Sequence, residues 1–178
     1  MRLKELDMAV DFEAFDYLNN KIRLSDYKGQ KVMLSFFRGA SCPFCNLRVQ
    51  QLINNYSEFE KNEITLITFF AASNEEIIKY AGKQNASFPI LDKELNYYKK
   101  YGVEQSSSGM IKTMANPIRM AKMMVSGFFN LKSIKEKPIV PADFLIDENQ
   151  RIYKVHYGGH YSDHLDLKEV LNWQKENK

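Results

Sequence analysis

The chain has 178 residues, 44% hydrophobic and 26% charged, enough to bury a sizeable core in one domain. Its net charge of +3, from 25 basic against 22 acidic residues, is too mild to mark a nucleic-acid partner. No apolar run approaches a membrane span, and the opening MRLKELDMAVDFEAF lacks the apolar segment of a signal peptide, so the expectation is a cytoplasmic protein.

Residues 7–24 read as a hairpin, with Phe12, Phe15 and Tyr17 before the Asn19-Asn20 turn and Ile22 and Leu24 after it. Ser25 to Lys31 reads as a helical turn stopped by Gly29. The apolar run Val32 to Phe37 predicts a strand. From Pro43 to about Lys61, Leu47, Val49, Leu52, Ile53, Tyr56 and Phe59 recur at helical spacing. The β-branched run Ile64 to Phe70 predicts a strand covered on both faces. Ser73 and Asn74 cap a helix over about 75–85, and residues 88–91 read as a short strand. Asp92 caps a short helix carrying Leu95, Tyr98 and Tyr101, closed by Gly102. Strand, helix, strand, helix implies a parallel core with crossover helices on its faces.

Residues 103–138 break this rhythm as a helical insert. Ser106 to Gly109 reads as a loop. Met110 to Leu131 is an apolar pattern punctuated by Lys112, Arg119 and Lys122, in which Pro117 interrupts or starts a helix. Lys132 to Pro138 is a polar link. Five of the eight methionines fall in the insert. It suits a helix covering the core, a lid or docking surface of adaptable shape, or a basic amphipathic helix on a membrane. Ala142 to Asp147 and Arg151 to Tyr157 then predict a two-stranded hairpin. A last helix over about 165–175 carries Leu167, Val170, Leu171 and Trp173.

The only two cysteines, Cys42 and Cys45, stand as C-x-x-C where the first long strand ends and a helix begins. Unpaired N–H groups and the positive end of the helix dipole favour a thiolate there. Pro43 fits the first helical position, and Arg38 is either a second positive charge near the thiols or a solvated loop residue. Two thiols so spaced can close a disulfide by exchange and reopen it. Zinc is the other use of such a pair, but a closed site needs four ligands. The histidines, His156, His160 and His164, fall around Gly158-Gly159 at a distance matching no usual finger, and read as polar-loop residues near Asp163 and Asp166. No metal is expected.

Three stretches in order resemble the thioredoxin-fold superfamily, in its AhpC/TSA, peroxiredoxin-like branch: LSDYKGQKVMLSFFRGASCPFC, FPILDKELNYYKKYGV and PADFLIDENQRIYKVHYG. The resemblance covers most of the chain outside the insert. It implies one α/β domain over residues 1–178, with a central mixed sheet flanked by helices, an N-terminal hairpin and the helical insert at about 103–138. It also implies that Val140-Pro141 is a cis-proline peptide facing the cysteines and offering backbone groups to a substrate. Peroxiredoxins carry P-x-x-x-T-x-x-C and a distant arginine that helps hold peroxide. Aligned on FFRGASCPFC, Cys45 takes the reactive position, Cys42 the threonine position, Arg38 the proline position and Pro141 the distant arginine position. Arg38 is a candidate replacement for that lost arginine.

The resemblance and the pair together imply a thiol–disulfide oxidoreductase without organic cofactor. Cys42, the more exposed and nearer the helix start, attacks a substrate disulfide, Cys45 resolves the mixed disulfide, and Val140, Pro141 and Arg38 hold the substrate. The alternative is a thiol peroxidase, an antioxidant in which Cys45 is oxidised and Cys42 condenses with it. A weaker one is a non-catalytic binding protein using the Met-rich surface. The expected partners are a disulfide-bearing protein, a small thiol or a peroxide, plus a recycling reductase. A homodimer fits members of this superfamily.

Overall fold

A computed structural model describes residues 2–91 and 95–173. Strands β1 (Glu13–Phe15) and β2 (Lys21–Arg23) pair antiparallel as the N-terminal hairpin. A 3-10 turn over Leu24–Tyr27 follows, and Gly29 takes a left-handed φ of +87° where the chain reverses into β3 (Lys31–Phe37).

The expected helix over 43–61 is two helices, α1 (Pro43–Asn54) and α2 (Tyr56–Lys61). At Asn55 the backbone leaves the helix, with φ −109° and ψ 9°. Its side-chain amide donates to the Gln51 carbonyl at 2.8 Å, a local bond of the kind that competes with helix continuation. The break lets Phe59 turn fully into the core. Strand β4 (Ile64–Phe70) is followed by α3 (Asn74–Lys79), capped by Ser73 as expected. That helix stops earlier than its pattern predicts. Tyr80 departs from helical geometry, a 3-10 turn takes Ala81–Gln84, and Asn85 ends it at a φ of 50°. β5 (Ile90–Leu91) and α4 (Leu95–Lys100) come next, and Gly102 has a φ of +69°. The Asp92 cap lies outside the described residues.

The insert is more structured than a loop, one helix and a polar link. Ser106 is the cap of α5 (Ser107–Met114), its hydroxyl accepting from the Gly109 N–H at 3.3 Å. Pro117 opens α6 (Pro117–Val125) at its first position, capped by Asn116. Residues Leu131–Lys135 form a 3-10 turn. Buried residues from each segment, Gly109 and Thr113 of α5, Met123 of α6 and Ser133 of the 3-10 turn, anchor the insert to the body. Ile111, Met114, Ile118, Met124 and Val125 face outward and are exposed. Strands β6 (Ala142–Ile146) and β7 (Ile152–Tyr157) and helix α7 (Leu167–Asn172) complete the chain. The end of the predicted last helix, beyond Trp173, lies outside the described residues.

The main sheet runs β5-β4-β3-β6-β7. β3, β4 and β5 are parallel, while β6 and β7 are antiparallel to their neighbours, so the sheet is mixed. Alternate residues feed two cores. Met33 and Phe37 of β3 join Leu66 and Phe70 of β4 under α1. Val32, Leu34 and Phe36 join Ile67 and Phe69 on the opposite face. Stacked Phe36–Phe69 and Phe37–Phe70 pairs, with centroids 5.2 and 4.8 Å apart, zip the two strands where the cysteine loop departs.

Candidate active site

The apolar β3 carries the chain up through the middle of the sheet, and the loop 38–41 turns it into α1. Cys42 is the N-cap of α1, with φ −68° and ψ 121°, and its carbonyl accepts the first helical bond from the Asn46 N–H at 3.1 Å. Cys45 lies one turn in. The loop is held from several sides. Buried Asn46 donates to the Ala40 and Cys42 carbonyls at 2.7 and 2.9 Å and accepts from Gln84 at 2.9 Å. The buried Tyr98 hydroxyl donates to the Phe37 carbonyl at 2.7 Å.

The thiols have opposite electrostatics. The Cys45 thiol donates to the Cys42 sulfur, which holds the Cys42 pKa below its ordinary value against the opposing effect of burial. The Arg38 charge adds to the lowering. Burial raises the Cys45 pKa well above its ordinary value, and the neighbouring Cys42 raises it further. Of the two thiols, Cys42 is therefore the easier to ionise.

Two expectations are corrected. Cys42 is not the exposed thiol: it is 0% exposed and Cys45 is 1% exposed. The insert and the loop before α7 cover them, with Met123, Val140 and Tyr161 in the same apolar cluster. The Val140–Pro141 peptide is trans, for no cis peptide occurs among the described residues. Val140 N–H bonds to the Glu104 carbonyl at 3.3 Å, and the Pro141 carbonyl accepts from Gly158 N–H at 2.8 Å. Pro141 therefore sits just ahead of β6, where its missing donor costs nothing.

Arg38 is buried, not solvated. Its guanidinium donates to the carbonyls of Ser133 at 2.7 Å, Lys137 at 2.8 Å and Glu136 at 2.9 Å, and lies 4.4 Å from the centre of the Tyr161 ring. It straps the insert across the cysteine loop. Glu136 completes the strap. Its Oε1 accepts from the Ser41 N–H at 2.9 Å and the Ser41 hydroxyl at 2.5 Å, with Arg38 3.6 Å from Oε2. Burial raises the Glu136 pKa. Its carboxyl group lies so close over Gly39 that an added Cβ would clash with it. Because the obstacle is the tip of a flexible side chain, Gly39→Ala should fold but displace Glu136. A loss of about 1–2 kcal/mol in urea unfolding is expected, with faster alkylation of the thiols.

The structure brings Cys42, Cys45 and Arg38 together and places Val140 in the apolar cluster that holds the thiols. Sequence reasoning missed Glu136, Ser41, Asn46 and Tyr161. Glu136 stands in a polar stretch without periodicity, and its partner is 95 residues away. It also missed the buried Asp143, which accepts from His164 Nδ1 at 3.1 Å and the Leu165 N–H at 2.8 Å. The histidines do not gather: His156 pairs with Asp163, His164 with Asp143. Among the described residues no group of three or more His, Cys, Asp or Glu is placed to hold a metal.

Residues 6–155 match the AhpC/TSA family. The chain belongs to that family. This makes it an oxidoreductase of the AhpC/TSA family, with chemistry either of thiol peroxidation or of thiol oxidoreduction. Relatives of both kinds exist. Peroxiredoxin Bcp of Escherichia coli is 27% identical over 98% of this chain and 97% of its own. Thiol-disulfide oxidoreductase ResA of Halalkalibacterium halodurans is 26% identical over 86% of this chain and 68% of its own. Among solved structures, Peroxidoxin BcpB from Mycobacterium tuberculosis superposes with a TM-score of 0.74, at 18% identity over 99% of both chains. PrxQ from Xylella fastidiosa gives 0.68, at 17% identity over 99% of this chain and 97% of its own. These likenesses establish the thioredoxin-like fold of the AhpC/TSA branch. No helix among the described residues is long and apolar enough to cross a membrane.

Proposed function

We propose that the protein reduces disulfides by dithiol exchange, with Cys42 as nucleophile and Cys45 as resolving thiol. The observation that carries this reading is the opposed pair of thiol pKa shifts at one helix start. The Cys42 thiolate attacks a substrate sulfur, the substrate S–S bond breaks, and the departing sulfur takes a proton. Cys45 then loses its proton and attacks Cys42 in the mixed disulfide, releasing the second substrate thiol and leaving a Cys42–Cys45 bridge. Two electrons have moved from protein to substrate, and a reductase or small thiol returns them. Arg38 adds to the charge stabilisation of Cys42 and ties down the insert. Val140 forms part of the apolar wall, and Pro141 fixes the adjoining strand start. A reducing compartment such as the cytoplasm suits this cycle.

The thiols are sealed in the resting protein, so exchange requires the strap of Arg38 and Glu136 to shift. Cys45→Ser should trap a mixed disulfide with a substrate protein through Cys42, visible as a reductant-sensitive adduct. The family's peroxidase chemistry supports a second reading, with Cys45 as the peroxide-reactive thiol. Its raised pKa weighs against that role in the reduced state. Under peroxidase chemistry, Cys42→Ser would instead accumulate sulfenic acid on Cys45 and consume peroxide quickly.

A further inference from the structure

A cleft of 660 Å³ opens between α1, α6 and the segment leading into α7. Phe44, one of the two residues between the cysteines, forms one of its walls. Four cationic side chains line it, Arg48, Arg119, Lys122 and Lys168, against the single carboxylate of Asp166. One Asp166 oxygen is occupied in accepting the Lys168 N–H at 2.9 Å. Arg119 donates to the Lys112 carbonyl at 3.2 Å, but neither it, Lys122 nor Lys168 forms an ion pair among the described residues. Arg48 is a different kind of residue, only 7% exposed. Its Nη2 donates to the Leu165 carbonyl at 2.7 Å, yet its buried Nε has no hydrogen-bond partner. The charge of Arg48 is offset by buried Asp143 and by Asp166, leaving an unpaired buried donor beneath the wall and, around it, three cations without an ion pair among the described residues.

A buried guanidinium with a spare donor, ringed by free cations, is suited to an oxyanion. We propose that this cleft binds a carboxylate carried by the substrate, so that the protein selects small disulfides whose sulfurs lie near a negative charge. This rests on the exchange reading and adds the substrate class to it. The carboxylate docks against Arg48, Arg119 and Lys122, and its disulfide is thereby held at the Phe44 wall, from which it reaches Cys42 once the strap of Arg38 and Glu136 shifts. The electron count is that of the exchange above: the dithiol is oxidised to a bridge and the substrate disulfide is reduced to two thiols.

The test is single-turnover reduction by the pre-reduced protein of two aromatic disulfides, dianionic 5,5′-dithiobis(2-nitrobenzoate) and neutral 2,2′-dithiodipyridine. Arg119→Ala with Lys122→Ala should lower the ratio of anionic to neutral rate constants about tenfold, and raising the salt should do the same to the wild type. Lys28→Ala with Lys61→Ala, the same charge change away from the cleft, should leave the ratio unmoved. Binding of 4-nitrobenzoate, which has no bond to exchange, is measured in parallel by calorimetry and should be lost in the Arg119/Lys122 variant. If the ratio does not change and 4-nitrobenzoate does not bind, the cleft proposal fails while disulfide reduction stands. If 4-nitrobenzoate binds in a cleft-dependent way but neither disulfide is reduced, the exchange reading fails and the anion site stands.

Discussion

Cys42→Ser should lower the rate of disulfide reduction by at least about a thousandfold, because a hydroxyl at that position supplies no thiolate at neutral pH. The finer expectation concerns the pH profile. The Cys42 pKa lies below its ordinary value chiefly through the hydrogen bond from Cys45, and secondarily through the charge of Arg38, with burial opposing both. Alkylation of Cys42 by iodoacetamide should therefore rise with pH through an inflection below the ordinary thiol range. In Cys45→Ala, where the donor is gone, that inflection should move upward, and by more than in Arg38→Met, where a weaker and more distant influence is removed. Cys45→Ser keeps a donor and should shift it least. An inflection that stays put in Cys45→Ala would separate Cys42 activation from its neighbour and leave the role assignment without its physical basis.

The two sulfurs, their helix and the strand beneath them were legible because each leaves a local mark. The C-x-x-C spacing, the apolar run over β3 and the helical recurrence after Pro43 all lie within about 30 residues. The second half of the site left no such mark. Glu136 reaches Ser41 across 95 residues, and Arg38 reaches the Ser133 carbonyl across the same distance. Neither backbone carbonyls nor a lone glutamate in a lysine-rich link announce themselves in a pattern. The exposure of Cys42 was misjudged for the same reason. A helix N-cap is normally open to solvent, and the folded insert together with the loop before α7 closes this one. Helix lengths were overestimated where apolar spacing continues through a change of backbone state. At Asn55 and at Tyr80 the period of buried residues survives while the helix does not, because Phe59 and Ala81 still point into the same core.

Asp143→Ala should be the most destabilising single change in the protein, costing about 3–5 kcal/mol. That is a large part of the 5–15 kcal/mol typical of a whole domain, so the softer Asp143→Asn is the practical measurement. The carboxylate is 0% exposed and accepts from His164 Nδ1 and the Leu165 N–H, and Arg48 supplies compensating charge. Removing it strands a buried guanidinium as well as two donors. The pair also sets an acid limit. Burial holds the His164 pKa below its ordinary value, so the folded ring stays neutral and donates a hydrogen bond from its Nδ1–H to the carboxylate. The Asp143 pKa is likewise lowered; burial opposes this, but His164 and Arg48 outweigh it. For both groups the unfolded chain binds the proton more readily. Stability should therefore fall as pH drops through about 6.5, where an unfolded histidine charges, and again below about 3.9, where an unfolded aspartate does. Asp143→Asn should abolish the lower of these two declines and preserve the upper one. Urea midpoints of wild type and variant followed from pH 8 to pH 3 would reveal it as two curves that converge in acid. Curves running parallel over the whole range would mean that Asp143 does not carry the buried charge assigned to it.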